Sequence, residues 1–201
     1  MNNAKKKVSA IVLAAGESKR MKERNKLLLP FRTKTVIRYV IENIIAAGLD
    51  EVIVVLGHEA EKVKVALTNL SVKFVLNENF EKGMTTSIQS GIKNATGAGY
   101  MICLSDMVMI TSGEYSLMKD KFLQQLEHDS ACICLPRYNS EKGNPVIFSS
   151  HYSDAILQHR EMEGCKTIVQ QNKDHIYWIE MNTRHVLQDM DSPEDYELLN
   201  L

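Results

Sequence analysis

The segment Leu13-Ala14-Ala15-Gly16-Glu17-Ser18-Lys19-Arg20-Met21, running on to Asn25-Lys26-Leu27-Leu28-Leu29-Pro30, concentrates more potential chemistry than any other part of the chain. Small residues let the backbone approach a ligand closely, and Lys19, Arg20, Lys22, Arg24 and Lys26 then follow in quick succession. Phosphate recognition needs both features: backbone amides unobstructed by side chains, and cations that neutralise oxygens. The competing reading is a solvated basic loop, since charge runs often only keep a surface wet. Two other phosphate-binding patterns are missing from the sequence, because it holds neither Gly-x-x-x-x-Gly-Lys-Ser/Thr nor Gly-x-Gly-x-x-Gly.

Carboxylates complement this basic segment. Asp106 follows the apolar run Tyr100-Met101-Ile102-Cys103-Leu104, so it projects from a strand end, where an aspartate facing phosphates holds Mg²⁺; an ordinary turn aspartate would look the same. In the acidic cluster Asp189, Asp191, Glu194 and Asp195, the last two fit the first turn of a helix, where the macrodipole favours negative charge. Asp191 is left over as a second candidate metal ligand. Gly83-Met84-Thr85-Thr86-Ser87 gathers hydroxyls and fresh helical N–H groups at one helix start, suited to a base, a ribose or a phosphate, although unliganded capping gives the same pattern.

The elements that must position these residues follow from hydrophobic periodicity. A run over 8–15, β-branched early and stopped by Gly16, reads as a strand buried on both faces. Val36, Ile37, Val40, Ile41, Ile44 and Ile45 recur as adjacent pairs four apart, which lines one face of a helix ended by Gly48. Strands over 52–56, 72–76 and 100–104 alternate with helices carried by Ala60, Val63, Leu67 and Leu70, by Met84, Ile88 and Ile92, and by Tyr115, Met118, Phe122 and Leu126, the last capped by Ser112. Beyond these come strands over 131–135, 146–148 and 176–179, a polar loop over 137–142, and a helix over 153–159. The final helix starts with Ser192 as cap and Pro193 at its first position. This alternation specifies an α/β fold: one Rossmann-like domain over 1–201, a mostly parallel sheet with helices on both faces and right-handed crossovers, preceded by a disordered leader over 1–7. Ligands of such sheets sit at the carboxyl ends of the strands.

Composition narrows the partners. With 24 Lys plus Arg against 25 Asp plus Glu, the formal net charge of −1 excludes a broad nucleic-acid surface and leaves room for a small, highly charged ligand. Apolar stretches are interrupted by charge well short of the roughly twenty residues a bilayer demands, which excludes a membrane span. Cys103, Cys132, Cys134 and Cys165 lie mostly in apolar runs without zinc-ligand spacing and, with no signal-peptide pattern at the N-terminus, read as reduced thiols of a cytoplasmic protein. Cys132 and Cys134 share one strand face. His58 lies on the ligand side of the sheet, Trp178 reads as core, and residues 146–148 read as a candidate sheet edge for self-association.

Taken in order, these segments resemble the molybdenum cofactor nucleotidylyltransferases of the NTP-transferase superfamily, specifically the molybdopterin cytidylyltransferase branch and the related accessory proteins of molybdenum hydroxylases. The resemblance rests on Leu13-Ala14-Ala15-Gly16-x-Ser18-x-Arg20-Met21, Asn25-Lys26-Leu27-Leu28-Leu29-Pro30, Gly83-Met84-x-x-Ser87-Ile88, Asp106, Gly143-x-Pro145-Val146-x-Phe148 and Asp189-Met190-Asp191-Ser192-Pro193-Glu194-Asp195-Tyr196. It implies a nucleotide-diphospho-sugar transferase type of fold and transfer of CMP from CTP to the phosphate of molybdopterin, with release of pyrophosphate and Mg²⁺ as cofactor. It implies that Leu13, Ala14, Ala15, Gly16, Ser18, Gly83 and Ser87 line the nucleotide, that Arg20 and Lys26 hold phosphates, and that Asp106 and Asp191 bind the metal, making Arg20, Lys26 and Asp106 the catalytic set. Ala15 and Asn25-Lys26-Leu27 favour CTP, since the guanylyl branch has Gly at the first position and Asp-Lys-Gly at the others. The chain departs from the pattern at Lys22, where the family has Gly, and at Ser105 and Val108, which flank Asp106 where the family has Gly-Asp-x-Pro. Gly164-Cys165-Lys166-Thr167 stands where the family has Gly-Asp-x-Gly, with a thiol replacing an acid. These departures motivate two alternatives: a non-catalytic factor that delivers cofactor to a molybdenum hydroxylase, and transfer to another phosphorylated acceptor such as a sugar phosphate.

Overall fold

The computed structural model describes residues 6–21 and 24–200, so the Lys22 departure and most of the basic leader lie outside the described residues. Strand β1 (Val8–Ala14) is the hub. Its alternate side chains serve both faces of the sheet: Val8, Ala10, Val12 and Ala14 pack in one buried cluster, and Ile11 packs in the other. A short hairpin of β2 (Pro30–Phe31) and β3 (Lys34–Thr35) leads into α1 (Val36–Ala46). β4 (Glu51–Leu56), α2 (Ala60–Ala66), β5 (Lys73–Leu76), α3 (Met84–Ile92), β6 (Gly99–Leu104) and α4 (Ser112–Leu126) follow. The carboxyl half comprises β7 (Ile133–Tyr138), β8 (Glu141–Lys142), β9 (Val146–Ser149), α5 (Ser153–Gln158), α6 (Lys166–Gln171), β10 (Ile176–Glu180) and α7 (Pro193–Leu199).

The main sheet runs β10-β7-β9-β6-β1-β4-β5, with β8 added to β7. Its core β6-β1-β4-β5 is parallel; β9 is inserted antiparallel between β6 and β7, and β10 pairs parallel with β7. Buried side chains of α1, α2 and α4 cover one face, and those of α3, α5 and α6 cover the other. This mixed, mostly parallel sheet between two helical layers matches the expected fold class.

Several local expectations are corrected. Thr111 caps α4 instead of Ser112: its hydroxyl accepts from the Glu114 N–H while the Glu114 carboxylate accepts from the Thr111 N–H, a reciprocal arrangement that Ser112 one residue later cannot make. Residues 137–142 form a hairpin because Arg137 and Tyr138 continue β7 and pair with Glu141 and Lys142 of β8. The left-handed backbone of Asn139 and Ser140 makes that turn. β9 lies in the middle of the sheet, so residues 146–148 offer no edge. Trp178 is 43% exposed on the edge strand β10, its ring stacked under the Arg137 guanidinium at 5.2 Å instead of in the core.

Candidate functional site

The first strand delivers its C-terminal end to a cavity of about 490 Å³ at the carboxyl ends of β1 and β6. Leu13, Ala15, Gly16 and Ser18 line it, with Leu104, Ser105 and Asp106 across from them. The ends of the two strands are stapled together by the Ser105 hydroxyl, which donates to the Leu13 carbonyl at 2.6 Å. Thus the serine found in place of a glycine has a structural task, and Val108, only 2% exposed, fills core beside Asp106. Ser18 has a left-handed backbone, with φ of 54°, and its hydroxyl accepts from the Lys26 N–H at 3.2 Å, which folds the basic segment back across the cavity. Asn25 then caps the short 3-10 turn Lys26–Leu28, whose Leu27 anchors it in the core.

The charges converge. Lys26 Nζ donates to Asp106 Oδ2 and to Asp191 Oδ1, each at 2.5 Å, and Arg20 Nη1 donates to Asp191 Oδ2 at 2.7 Å. Burial alone pushes the Lys26 ammonium down, but the two carboxylates outweigh it and hold its pKa above the ordinary 10.5. For Asp106, burial pushes the carboxyl up; Lys26 opposes that shift, and Asp191 and Asp189 add to it. Asp106 lines this cavity, and its Oδ1 is buried with no hydrogen-bond partner, an uncompensated acceptor. Asp191 reaches this point because Ser192 and Asp195 form a capping box at the start of α7, with Asp195 also accepting from the Asp191 N–H at 3.1 Å. Among the described residues no group of three or more His, Cys, Asp and Glu side chains is arranged to hold a metal, so a cation here would take two protein carboxylates and find its other ligands on a bound substrate.

The remaining expected residues fall on both sides of the line. Gly83 and Ser87 line the same cavity. Ala14 does not: its side chain is buried in the core face of β1. His58 contributes its backbone N–H to the Ala15 carbonyl at 3.1 Å and does not line the cavity. Phe80, Met84, Leu104 and Asp189 line it without having been singled out as site residues. Asn77 is another omission, since Asn77-Glu78-Asn79 reads as an ordinary polar turn. It is 3% exposed, its Nδ2 donates to Thr86 Oγ1 at 2.9 Å and Ser87 Oγ at 3.0 Å, and its Oδ1 accepts from the Asn79 N–H. Because Ser87 Oγ already accepts from Asn77, the serine proton remains available to donate into the cavity.

A second cavity, about 590 Å³, adjoins the first and shares Met84 and Leu104 with it. It lies over β6 and β9, between α3 and the segment leading into α6. That segment is pinned to the start of α3: the Thr85 hydroxyl donates to the Glu161 carbonyl and accepts from the Gly164 N–H. Gly83 permits the contact, since it has φ of 101° and a Cβ there would lie 2.6 Å from the Met162 carbonyl oxygen. Gly143 is required in the same sense, because its Cβ would meet the Val186 carbonyl oxygen at 2.5 Å. Cys165 forms part of the cavity wall, and burial pushes its thiol up to about 12, so it stays protonated and neutral.

Known proteins resemble this chain to different depths. A 148-residue stretch is 29% identical to the bifunctional protein GlmU of Aquifex aeolicus, covering 72% of this chain and 30% of that protein, so the chain spans under a third of the length of such curated relatives. Rv0371c of Mycobacterium tuberculosis H37Rv, solved as a complex with manganese, superposes with a TM-score of 0.81 at 22% identity, covering 96% of this chain and 98% of that one. Molybdopterin-guanine dinucleotide biosynthesis protein A of Archaeoglobus fulgidus superposes with a TM-score of 0.69 at 12% identity over 96% of each chain. These likenesses establish a nucleotidyltransferase-like fold. The family model for the MobA-like NTP transferase domain matches residues 10–176, from the first strand to the start of the last one, and the chain therefore belongs to the MobA-like NTP transferase family.

Proposed function

We propose that this protein is a nucleotidylyltransferase that transfers CMP from CTP to the phosphate of molybdopterin, releasing pyrophosphate. The observation that carries the reading is the convergence of Arg20, Lys26, Asp106 and Asp191 on one cavity at the strand ends, beneath the small-residue turn of Ala15 and Gly16. In this reaction an acceptor phosphate oxygen forms a bond to the α-phosphorus as the bond to the β-phosphate oxygen breaks. A phosphate nucleophile is already anionic, so the protein's contribution is positioning and charge neutralisation. Lys26 and Arg20 turn from the carboxylates to the triphosphate, and the Ser87 hydroxyl donates to the nucleoside.

Mg²⁺ fits the residues present, because Asp106 Oδ1 is a buried acceptor without a partner and both carboxylates sit on a single ammonium. Asp106 and Asp191 would hold it, and it would neutralise charge on the phosphates. The choice of CTP rests on Ala15 and on Asn25-Lys26-Leu27 in place of the guanylyl pattern. A cytoplasmic location belongs to the same reading: Cys103, Cys132, Cys134 and Cys165 are buried and unbridged, and no helix among the described residues is long and apolar enough to cross a membrane.

The test incubates the purified chain with Mg²⁺, molybdopterin and either CTP or GTP and measures pyrophosphate. Release with CTP, faster than with GTP, is the expected outcome. No release with either triphosphate overturns catalysis; capture of an apo-hydroxylase by that inactive chain would establish the delivery-factor alternative, which the replacement of an acid by Cys165 favours.

A further inference from the structure

Asn77 follows β5 directly, and its N–H donates to the Leu56 carbonyl at 2.8 Å, which holds it against the end of β4. Its side chain is buried behind the two hydroxyls at the start of α3. A primary amide offers one oxygen and two N–H donors, and the way round it lies is set here by a partner that cannot be reversed. The Asn79 N–H only donates, so the amide oxygen faces it and the amide nitrogen faces Thr86 and Ser87. Each amide hydrogen is thereby committed to one hydroxyl oxygen. Thr86 spends its own proton on the backbone, with the Asn79 carbonyl at 2.9 Å and the Gly83 carbonyl at 3.0 Å. Ser87 has no such acceptor among the described residues, and it lines the first cavity with its proton unspent.

We propose that Asn77 is a positioning residue for nucleotide recognition: it makes the Ser87 hydroxyl an obligate donor, so the bound nucleoside must present a hydrogen-bond acceptor at that point. The proposal rests on the nucleotidylyl-transfer reading for the identity of the ligand and adds which of its groups the site accepts. A base carbonyl, an unprotonated ring nitrogen or a ribose oxygen satisfies the fixed donor. An exocyclic amino group does not, because its hydrogens would face the serine proton. A serine without this lock turns its hydroxyl to suit either kind of group, and the buried amide removes that freedom.

Asn77→Asp reverses the lock at nearly constant shape. A carboxylate only accepts: it keeps the Asn79 N–H, is held ionised by that donor and the two hydroxyls, and draws the Ser87 proton away from the cavity. Calorimetric titration of the full chain with CTP and Mg²⁺ and no acceptor, run as a double-mutant cycle with Ser87→Ala, tests the proposal; urea unfolding confirms that each variant is folded. Asn77→Asp weakens CTP binding by about tenfold or more in the parent background and by less than about twofold in Ser87→Ala. Asn77→Ala, which frees the Ser87 hydroxyl without reversing it, weakens CTP less than Asn77→Asp does, and its penalty also vanishes in Ser87→Ala. A merely structural role gives the opposite order, because alanine deletes all three side-chain hydrogen bonds. Parental affinity in Asn77→Asp, a penalty that persists in full in Ser87→Ala, or a larger loss in Asn77→Ala overturns the proposal. A parent chain that binds neither CTP nor GTP overturns the nucleotide reading and the proposal together. The expected cycle in a chain that releases no pyrophosphate supports the proposal and overturns the transfer reading alone.

Discussion

On one side of Leu104 and Met84, the cavity at the ends of β1 and β6 holds charges that neutralise one another; on the other, the cavity between α3 and α6 is walled mainly by apolar side chains, with Glu163 and Lys166 paired at its rim. In the first, Lys26 is paired with both Asp106 and Asp191, so on the proposed reading a metal and a triphosphate would have to replace ion pairs that the free protein already makes. A ligand binds there by exchange, and its affinity is the difference between two sets of ion pairs. In the second, little besides water needs displacing, so burial of apolar surface would drive any binding there. Charge density alone is therefore a poor guide to where a site will bind its ligand most readily.

The largest expected effect comes from removing the buried end of the ionic network. Asp106→Ala lowers steady-state pyrophosphate release by about 10²- to 10³-fold. It also leaves Lys26, whose side chain is only 15% exposed, with Asp191 as its one remaining carboxylate partner among the described residues, which costs about 1–3 kcal/mol of stability. Asp106→Asn separates the two effects: it keeps the shape, loses the charge and unfolds at a denaturant concentration nearer the parent's while staying inactive. Near-parental turnover in either variant removes Asp106 from the catalytic set.

Lys26→Met comes next and breaks the exchange argument directly. Turnover falls by about 10²-fold because a phosphate ligand is lost. Mn²⁺ binding in the absence of nucleotide, followed by electron paramagnetic resonance, tightens by about tenfold because both carboxylates are released from the ammonium. Unchanged Mn²⁺ affinity would mean that Lys26 does not compete for the cation position.

The asymmetry between the cavities also explains what was legible in the sequence. The charged cavity follows a local rule, since small residues end a buried strand and cations follow, and half of its lining comes from one stretch of sequence, Leu13 to Leu27. The start of α7 was legible for the same reason: Ser192, Pro193 and Asp195 are adjacent in sequence and act on one another. The second cavity is assembled from residues on β6, β9, α3 and α6, and no periodicity reports which strands become neighbours. That is why β9 looked like an edge and lies at the centre of the carboxyl half, and why Trp178, in an apolar run, lies on an exposed edge strand. Asn77 was hidden by its residue type, because an asparagine that organises a site and one that makes a turn have the same sequence signature.

The smallest expected effect tests an ionic cluster that stands apart from both cavities. Glu114 joins α4 to the turn at Arg184–Leu187: it accepts from the Thr111 N–H at 2.8 Å, and its carboxylate also meets the Thr183 hydroxyl and the His185 ring. Burial pushes this carboxyl up, but the Thr111 N–H, the Thr183 hydroxyl and His185 together hold it below 4.5. A carboxyl with a lowered folded pKa binds fewer protons in the native state than in the unfolded one. Its stabilising contribution is therefore complete above about pH 4.5 and is lost as pH falls through the folded value. Glu114→Gln removes about 1 kcal/mol at neutral pH, measured by urea unfolding, and flattens the acid limb of the stability profile. Transfer activity per folded molecule is unchanged, because Glu114 lines neither cavity. A parallel loss of activity would show that the turn at Arg184–Leu187 transmits strain to Asp191, joining a purely structural contact to the exchange of charges on which the first cavity depends.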